Sequence, residues 1–296
     1  MSWRIVSIAE KSYLSLNLEN LVIKQDSGEF KVPLEDISVI VLENRTITTS
    51  VALLDACIQH KIAVLICDEK HTPSGTLLGY QQHSRQSKVI KEQLLWTEPL
   101  KKRVWQSIIK QKLENQYAVL TEISKREFPN FINYTASVNS GDTLNREASA
   151  ARLYFGELLP KGCVRNSDHV INASLNYGYA ILRGAMARSI VTYGFLSSIG
   201  IQHKNELNNY SLADDLMEVY RPYVDYLVFT KISVNAELLN KEMRNELVGI
   251  LTHRVIINES KQTILRAMEI TAQSLVTVTT EKDPSRLLLP ILKYGK

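Results

Sequence analysis

The sequence predicts an α+β protein in which a small β-sheet N-terminal domain precedes a larger all-helical domain. Apolar side chains alternate with polar ones in the first part of the chain, as in strands with one buried face. Beyond about residue 84 they recur every three or four residues, as on one face of a helix. We place the N-terminal domain at residues 1–82, the helical domain at residues 88–296 and a linker at residues 83–87.

The alternating pattern of the N-terminal part predicts several short strands. Residues 13–18 carry leucine at every second position, and residues 26–28, Asp-Ser-Gly, are typical of a turn. The period changes in residues 50–60, where one apolar stripe predicts a helix. Residues 62–67 form a continuous apolar run that predicts a buried strand, and residues 72–75, Thr-Pro-Ser-Gly, predict a loop.

The remainder of the chain is predicted to be helical to its end. A long basic helix begins near Val89, and its face continues beyond Pro99. A second long helix starts near Val170, and Gly200 is expected to be its C-cap. A third begins at Ser211, which resembles the first residue of a capping box.

Composition narrows the functional classes. Of 296 residues, 45% are hydrophobic and 22% charged, as in globular proteins. The three cysteines, Cys57, Cys67 and Cys163, form no CxxC pair, which argues against a zinc site or disulfide framework and favours a reducing compartment. The sequence shows no signal peptide and no apolar run long enough for a membrane span, so we expect a cytoplasmic protein without a membrane partner.

Positive charge is concentrated in one segment. The chain has a net charge of +4, whereas residues 85–126 contain ten lysines or arginines and four glutamates, a surplus of six positive charges. This asymmetry predicts a face that binds nucleic-acid phosphates, although a solvated basic helix would give the same pattern. The competing location is the C-terminal helices, with Arg244, Arg254 and Lys261. The candidate DNA-binding residues of the first segment are Arg85, Lys88, Lys91, Lys101, Lys102 and Arg103.

Two candidate site residues lie near predicted helix ends. Glu147 falls in the first turn of an amphipathic helix, where a carboxylate also interacts favourably with the helix dipole. His203 follows Gly200 in an Asn-containing loop, where a capping role is the simpler alternative. Taken alone, each residue is explained more simply by its helix end: Glu147 by the helix dipole and His203 by capping.

A third segment supplies further carboxylates. Asp215 and Glu218 are three residues apart on a predicted helix and therefore share a face. Two neighbouring carboxylates repel unless a cation neutralises them, and either Arg221 or a metal ion can do so. Together with Glu147 and His203 they make a set of oxygen ligands and one imidazole without a thiolate, which suits Mg²⁺ or Mn²⁺ better than zinc. The long intervals between these residues do not by themselves show that they converge.

Several segments match one family in order. They are residues 147–155 (EASAARLYF), residues 172–179 (NASLNYGY) and His203 followed by residues 215–218 (DLME). These motifs resemble the universal integrase of CRISPR adaptation, the first-numbered CRISPR-associated protein. Residues 216–225, together with residues 41–43 and 66–68, are similar to the branch found in type II systems. The resemblance extends over nearly the whole chain.

The resemblance implies a fold, an activity and a set of site residues. It implies a β-sandwich-like N-terminal domain that mediates homodimerisation and a helical catalytic domain whose metal-binding residues match Glu147, His203 and Glu218. Glu218 stands where many members have Asp, and it is one methylene longer. The roles of Asp214 and Asp215 stay open. The implied cofactor is Mg²⁺ or Mn²⁺, and the implied reaction is attack of a captured fragment's 3′-hydroxyl on a phosphodiester at the repeat boundary, with DNA endonuclease activity from the same site.

The implied partners follow from the same family. They are double-stranded DNA, as prespacer and CRISPR repeat, a second copy of the chain, a small second adaptation protein that completes a heterohexamer, and other type II adaptation and effector proteins. Two alternatives remain at this stage. The chain could be a metal-dependent, structure-specific DNA nuclease without an integration role, or a non-catalytic DNA-binding scaffold whose acids form only salt bridges.

Overall fold

The computed structural model describes residues 3–80, 83–165, 167–203 and 205–293. The chain divides into two compact units, Met1–Ser84 and Arg85–Lys296. The first unit contains the predicted sheet domain and the second is mostly helical. Among the described residues, no helix combines the length and the apolar character that crossing a bilayer requires.

The N-terminal unit contains two four-stranded sheets. One has the order β1-β5-β7-β8, with β1, β5 and β7 parallel and β8 antiparallel, and the other has the order β4-β3-β2-β6. The strands are β1 (Arg4–Ile8), β2 (Tyr13–Asn17), β3 (Asn20–Gln25), β4 (Gly28–Pro33), β5 (Ile37–Leu42), β6 (Thr48–Thr49), β7 (Ala63–Cys67) and β8 (Pro73–Leu77).

Helix α1 (Val51–Gln59) joins the two sheets in one apolar core. The Ser50 side chain caps the helix by accepting a hydrogen bond from the Leu53 amide. Buried side chains of both sheets and of α1 share this core, which explains why the helix interrupts a β-rich sequence. Representative members are Leu14, Ile23, Ile37, Val64, Leu53 and Cys57.

The second unit contains nine further helices and a β-hairpin among its described residues. The helices are α2 (Gln86–Leu94), α3 (Glu98–Ser124), α4 (Pro129–Ala136), α5 (Arg146–Leu158), α6 (Val170–Thr192), α7 (Ser211–Met217), α8 (Arg221–Lys231), α9 (Lys241–Gly249) and α10 (Ile264–Glu281), and the hairpin strands are β9 (Arg254–Ile257) and β10 (Ser260–Thr263).

Helix α6 is the centre of the second unit, since it is buried on nearly all sides and packs against α7, α8, α9 and α10. Its Gly178 allows a close approach of α8, because a Cβ added there would lie 2.5 Å from Cγ1 of Val224. Helix α3 packs against α5, α8 and the turn that follows α7. These two long helices therefore position the elements that carry the candidate site.

The structure corrects several expectations from the sequence. The second unit is not all-helical, because residues 254–263 form a hairpin, and the predicted loop at residues 72–75 lies largely within β8. Helix α2 begins at Gln86, inside the predicted linker, and the basic helix is broken into α2 and α3, with Thr97 capping α3. Helix α6 ends at Thr192, so Gly200 is not its C-cap.

Candidate active site

The three predicted site residues come from three elements of the second unit. Glu147 lies in the first turn of α5, His203 in the loop between α6 and α7, and Glu218 begins the short 3₁₀ turn that joins α7 to α8. The start of α5 is held by Asp142, whose carboxylate accepts hydrogen bonds from the amides of Arg146 (2.9 Å) and Glu147 (3.0 Å). Asp142 thus fixes the backbone of Glu147 from outside the helix.

Glu147 and Glu218 meet on the ammonium group of Lys112, a residue of α3. The Lys112 Nζ atom lies 2.5 Å from Oε1 of Glu147 and 2.6 Å from Oε2 of Glu218. Burial opposes the charge of Lys112, but the two carboxylates outweigh it and raise the pKa of the ammonium above its ordinary value. The structure therefore brings the two predicted acids together around one buried positive charge.

Arg221 provides a second cation for Glu218. Its guanidinium lies 3.0 Å from Oε1 of Glu218, so the two carboxylate oxygens face different cations. Burial acts to raise the pKa of Glu218, whereas the positive charges of Arg221 and Lys112 act to lower it. The effect of the charges is larger, so the pKa of Glu218 lies below its usual range. Glu218 is consequently an ionised carboxylate in a position with only 4% exposure.

One oxygen of Glu218 depends on Lys112 among the described residues. The Nζ atom of Lys112 lies 2.6 Å from Oε2 of Glu218, and no other donor in the described part of the chain reaches this buried atom. A buried carboxylate oxygen whose partner is a cation is suited to a metal ion. Because both acids contact the same Nζ, their oxygens lie within about 5 Å of each other, as two ligands of one divalent ion would.

His203 is held by Asp215 rather than by the two glutamates. Its Nδ1 atom lies 2.6 Å from Oδ1 of Asp215, which also accepts the His203 amide at 3.2 Å. The other oxygen of Asp215 accepts the amides of Ile201 and Gln202. The hydrogen bond that His203 donates to Asp215 raises the pKa of His203 above its ordinary value, the nearby negative charges add to this effect, and partial burial opposes it. The edge-to-face contact with Trp105 also orients the ring.

The other acid of this segment, Asp214, has a separate role. Its carboxylate accepts two hydrogen bonds from Arg183, at 2.7 and 3.0 Å, and a third from Asn208. The predicted capping box at Ser211 is wrong, because the Ser211 hydroxyl bonds to the Asn208 carbonyl and Asp214 is committed to Arg183. Asp214 and Asp215 thus support the loop around His203 from two sides.

A buried tyrosine–aspartate network lies behind Arg221. Asp225 accepts hydrogen bonds from the hydroxyls of Tyr154 (3.0 Å) and Tyr179, and Arg221 stacks over the Tyr179 ring at 4.8 Å. Burial raises the pKa of Asp225 to about 6, and the two tyrosines and neighbouring arginines oppose this rise. The network extends from α5 and α6 to α8 and supports Arg221 as it contacts Glu218.

The described residues do not include three His, Cys, Asp or Glu side chains already arranged to hold a metal ion. The reason is visible in the contacts, because Lys112 stands between the two glutamates and His203 faces Asp215. The donor set itself, two carboxylates and an imidazole, is nevertheless suited to Mg²⁺ or Mn²⁺. The metal assignment for Glu147, His203 and Glu218 therefore stays a prediction.

The candidate DNA-binding residues lie on α2 and the first turns of α3. Arg85, Lys88, Lys91, Lys102 and Arg103 are exposed, whereas Lys101 is partly covered and pairs with Glu98. The structure changes the picture for the competing basic residues, which the sequence placed on the C-terminal helices. Arg244 is buried and donates to the Leu239 carbonyl, and Arg254 and Lys261 lie on β9 and β10 rather than on helices.

Sequence reasoning missed three residues of this site. Lys112 was counted in the basic segment of residues 85–126, yet only 7% of it is exposed, so it contributes no charge to a surface. Its neighbours Ile108, Ile109 and Leu113 mark the buried stripe of α3, and a lysine on such a stripe signals a buried carboxylate partner. Asp225 had no comparable signal, because its partners Tyr154 and Tyr179 are distant in sequence. Asp142 stands just before α5, where a short acidic side chain at a helix start was the available signal.

One protein-family model matches most of the chain. The family model described as "CRISPR associated protein Cas1" matches residues 5–269. The chain is 40% identical over 294 residues to the CRISPR-associated endonuclease Cas1 of Neisseria meningitidis serogroup C, a match covering 98% of this chain and 96% of the relative.

Two solved structures share the fold. A chain of a Cas6-RT-Cas1–Cas2 complex superimposes with a TM-score of 0.75 at 21% identity, covering 99% of this chain and 36% of the other. A casposase bound to its integration product also gives a TM-score of 0.75, at 20% identity, covering 96% of this chain and 92% of the other. At these identities the two likenesses establish the fold alone.

Proposed function

The chain belongs to the Cas1 family of CRISPR-associated proteins, and we propose that it is a divalent-metal-dependent DNA integrase and endonuclease of spacer acquisition. The main observation behind this proposal is that Glu147 and Glu218 both contact the buried ammonium group of Lys112. His203 lies near enough for its charge to affect Glu218. The 40% identity to an endonuclease supports the same class of reaction.

The proposed reaction transfers a phosphodiester linkage. The 3′-hydroxyl oxygen of a captured DNA fragment forms a bond to phosphorus at the repeat boundary, the bond from phosphorus to the target strand's 3′-oxygen breaks, and the leaving oxygen takes up a proton. With water in place of the hydroxyl, the same site hydrolyses DNA. A bound Mg²⁺ or Mn²⁺ would make the attacking oxygen more nucleophilic and offset the charge that develops on the phosphate.

The side chains of this chain have distinct tasks in that reaction. Glu147 and Glu218 are the carboxylates we propose to hold the ion, and Arg221 keeps Glu218 ionised. Nδ1 of His203 is hydrogen-bonded to Asp215, so Nε2 is the nitrogen available to an ion or to a proton of the substrate. As a ligand His203 must be neutral, which couples metal binding to pH because Asp215 favours its protonated form.

The proposed partners are double-stranded DNA as prespacer and repeat, a second copy of the chain, and a small Cas2-type protein that completes a heterohexamer. A structural neighbour of the same fold is a chain of a Cas6-RT-Cas1–Cas2 complex, and another is bound to an integration product. Two-ended integration joins two DNA ends to one target, which is a reason to expect two catalytic chains in the assembly.

A strand-transfer assay tests the proposal. The purified chain, with its small partner, is incubated with a labelled prespacer and a repeat-containing duplex in Mg²⁺, in Mn²⁺ or in EDTA. We expect joined products only with metal, and a loss of about 10²-fold or more in Glu147→Gln, Glu218→Gln and His203→Ala. Glu122→Gln is the matched control, because Glu122 is a helical glutamate paired with Lys125 away from the site.

The products separate the alternatives. Metal-dependent cleavage without joined products would favour a structure-specific nuclease. DNA binding with neither cleaved nor joined products would favour a DNA-binding scaffold whose acids form only salt bridges. Full activity in Glu147→Ala would overturn the assignment of the site.

A further inference from the structure

The buried ammonium of Lys112 occupies the position between the two carboxylates of the proposed metal site. Building on the proposed function, we propose that Lys112 is the resident counter-cation of this site. Its side chain holds Glu147 and Glu218 at a spacing that a divalent ion can use, and the arriving ion takes its place. Lys112 is thus a positioning residue that organises the metal ligands before metal binds and competes with the metal for them.

The contacts show how Lys112 organises the ligands. Glu147 belongs to α5 and Glu218 to the turn after α7, so no shared element fixes their separation. Lys112 approaches from α3, and its Nζ contacts one oxygen of each at 2.5 and 2.6 Å. Without a cation, two carboxylates this close would repel, and in a buried position the cost of an unpaired charge amounts to several kcal/mol.

Charge balance explains why the ion and the ammonium exclude each other. Glu147 and Glu218 carry two negative charges, and Lys112 and Arg221 balance them with two positive charges. A divalent ion added to this arrangement would place two further positive charges within a few Å of Lys112 Nζ, a strong repulsion where water is excluded. Departure of the ammonium removes most of that repulsion, because the cluster then carries one surplus positive charge instead of two.

The side chains around the cluster favour Lys112 as the group that moves. Arg221 is fixed on its other side by stacking over Tyr179, whereas the Lys112 Nζ contacts the two glutamates and no further acid among the described residues. A lysine head is a compact charge on a flexible stem, which allows it to swing. Glu147 is the more exposed of the two acids, with a side-chain exposure of 29% against 6% for Glu218, so the cluster opens on the Glu147 side.

Metal binding to Lys112→Met tests this competition directly. Mn²⁺ affinity is measured by isothermal titration calorimetry, and melting temperature is measured with and without Mn²⁺, on the full chain without DNA. We expect the metal-free variant to melt about 10 °C lower, because two buried carboxylates lose their partner. We expect Mn²⁺ to bind it about tenfold more tightly than the wild type and to restore most of the lost stability.

Lys161→Met is the matched control, since Lys161 is exposed in the loop after α5. It should leave both the melting temperature and the Mn²⁺ affinity unchanged. Equal or weaker Mn²⁺ binding by Lys112→Met would overturn the proposal and make Lys112 a permanent structural partner. A wild-type chain that binds Mn²⁺ but does not join DNA would instead count against the integrase function and leave this inference standing.

A measurement on the wild type covers the case in which Lys112→Met does not fold. Acylation of lysines by acetic anhydride, read by mass spectrometry, reports the accessibility of each ammonium group. We expect Lys112 to be protected without metal, as its 9% side-chain exposure indicates, and to react several times faster at saturating Mn²⁺. Equal protection of Lys112 with and without bound Mn²⁺ would show that the ammonium stays in place and would refute the displacement.

Discussion

The Nδ1 atom of His203 lies 2.6 Å from Oδ1 of Asp215, a carboxylate with no exposed surface. The same carboxylate accepts the backbone amides of Ile201 and Gln202. A single buried acid therefore fixes both the fold of this loop and the orientation of its histidine. In the proposed site, Asp215 acts on the metal ligand and not on the metal.

Replacing Asp215 with Asn should lower the pKa of His203, because the hydrogen bond that His203 donates to Asp215 is the largest contribution to its elevation. A raised histidine pKa stabilises the folded state below the unfolded value of about 6.5, and this contribution is lost as the pH rises through the folded pKa. The variant should therefore lose more stability at pH 5.5 than at pH 8.

NMR titration of the metal-free protein measures this prediction, and His253 serves as an internal control. Burial lowers the pKa of His253, and the charged groups that act on it are Glu246 and Lys231 rather than Asp215. An unchanged pKa of His203 in Asp215→Asn would contradict the assigned cause.

Gly200→Ala should disturb the His203 loop without unfolding the protein. A Cβ at this position would lie 2.6 Å from the His203 carbonyl oxygen and 2.8 Å from Oδ2 of Asp215, and a backbone atom cannot move away cheaply. We expect strand transfer to fall about tenfold or more and the free energy of unfolding to fall by about 1–3 kcal/mol. Gly156→Ala is the control, because an added Cβ meets nothing within 4 Å there. Equal activity of the two variants would contradict the prediction.

Asp225 should make the wild type less stable as the pH rises. Its pKa is raised to about 6 by burial, against an ordinary value of 3.8, so the folded state binds more protons between these values. The contribution of Asp225 to stability therefore falls as the pH rises from about 4 to about 6, by up to about 3 kcal/mol, and does not change further above that range.

Urea unfolding of Asp225→Asn at pH 4 and pH 7 checks this contribution. Asn does not titrate, so the decrease in the free energy of unfolding between the two pH values should be smaller in the variant than in the wild type. Asp55→Asn is the control, because Asp55 is exposed on α1. Identical pH dependence in Asp225→Asn and the wild type would count against the raised pKa.

The exposed basic residues of α2 should bind duplex phosphates. Replacing Arg85, Lys88 and Lys91 together with Gln should weaken DNA binding and reduce its salt dependence by about one unit of slope for each lost phosphate contact. Fluorescence anisotropy across a salt series measures both quantities. Arg254→Gln with Lys261→Gln tests the competing surface on the hairpin. If only this second pair changes the slope, the DNA runs along the hairpin instead.

The N-terminal unit should form a homodimer through the β4 edge. Strand β4 is the last strand of its sheet, and its Phe30 is 51% exposed although it pairs with the buried Ile23. An exposed strand edge carrying a large apolar side chain is suited to pairing with another copy. Phe30→Glu should therefore shift the protein to monomers in light scattering. Leu18→Glu, at an exposed turn, is the control, and a concentration-independent monomeric wild type would contradict the prediction.

The sequence by itself predicted the order of the two parts of the chain and most elements of each. Alternation in residues 13–18 and the helical stripe of residues 50–60 correspond to β2 and α1, because period and burial are local properties of a strand or helix. The order of the family motifs identified Glu147, His203 and Glu218 as candidates. The hairpin at residues 254–263 was missed because β9 and β10 are only four residues each.

Only the tertiary structure decided which groups face each other. The sequence placed Asp214 and Asp215 side by side, yet one pairs with Arg183 and the other with His203, since adjacent residues of a helix point in different directions. Lys112 lies 35 positions from Glu147 in the chain, so no local pattern relates them. Their pairing follows from the packing of α3 against α5 and the turn after α7, which buries two carboxylates and requires a cation between them.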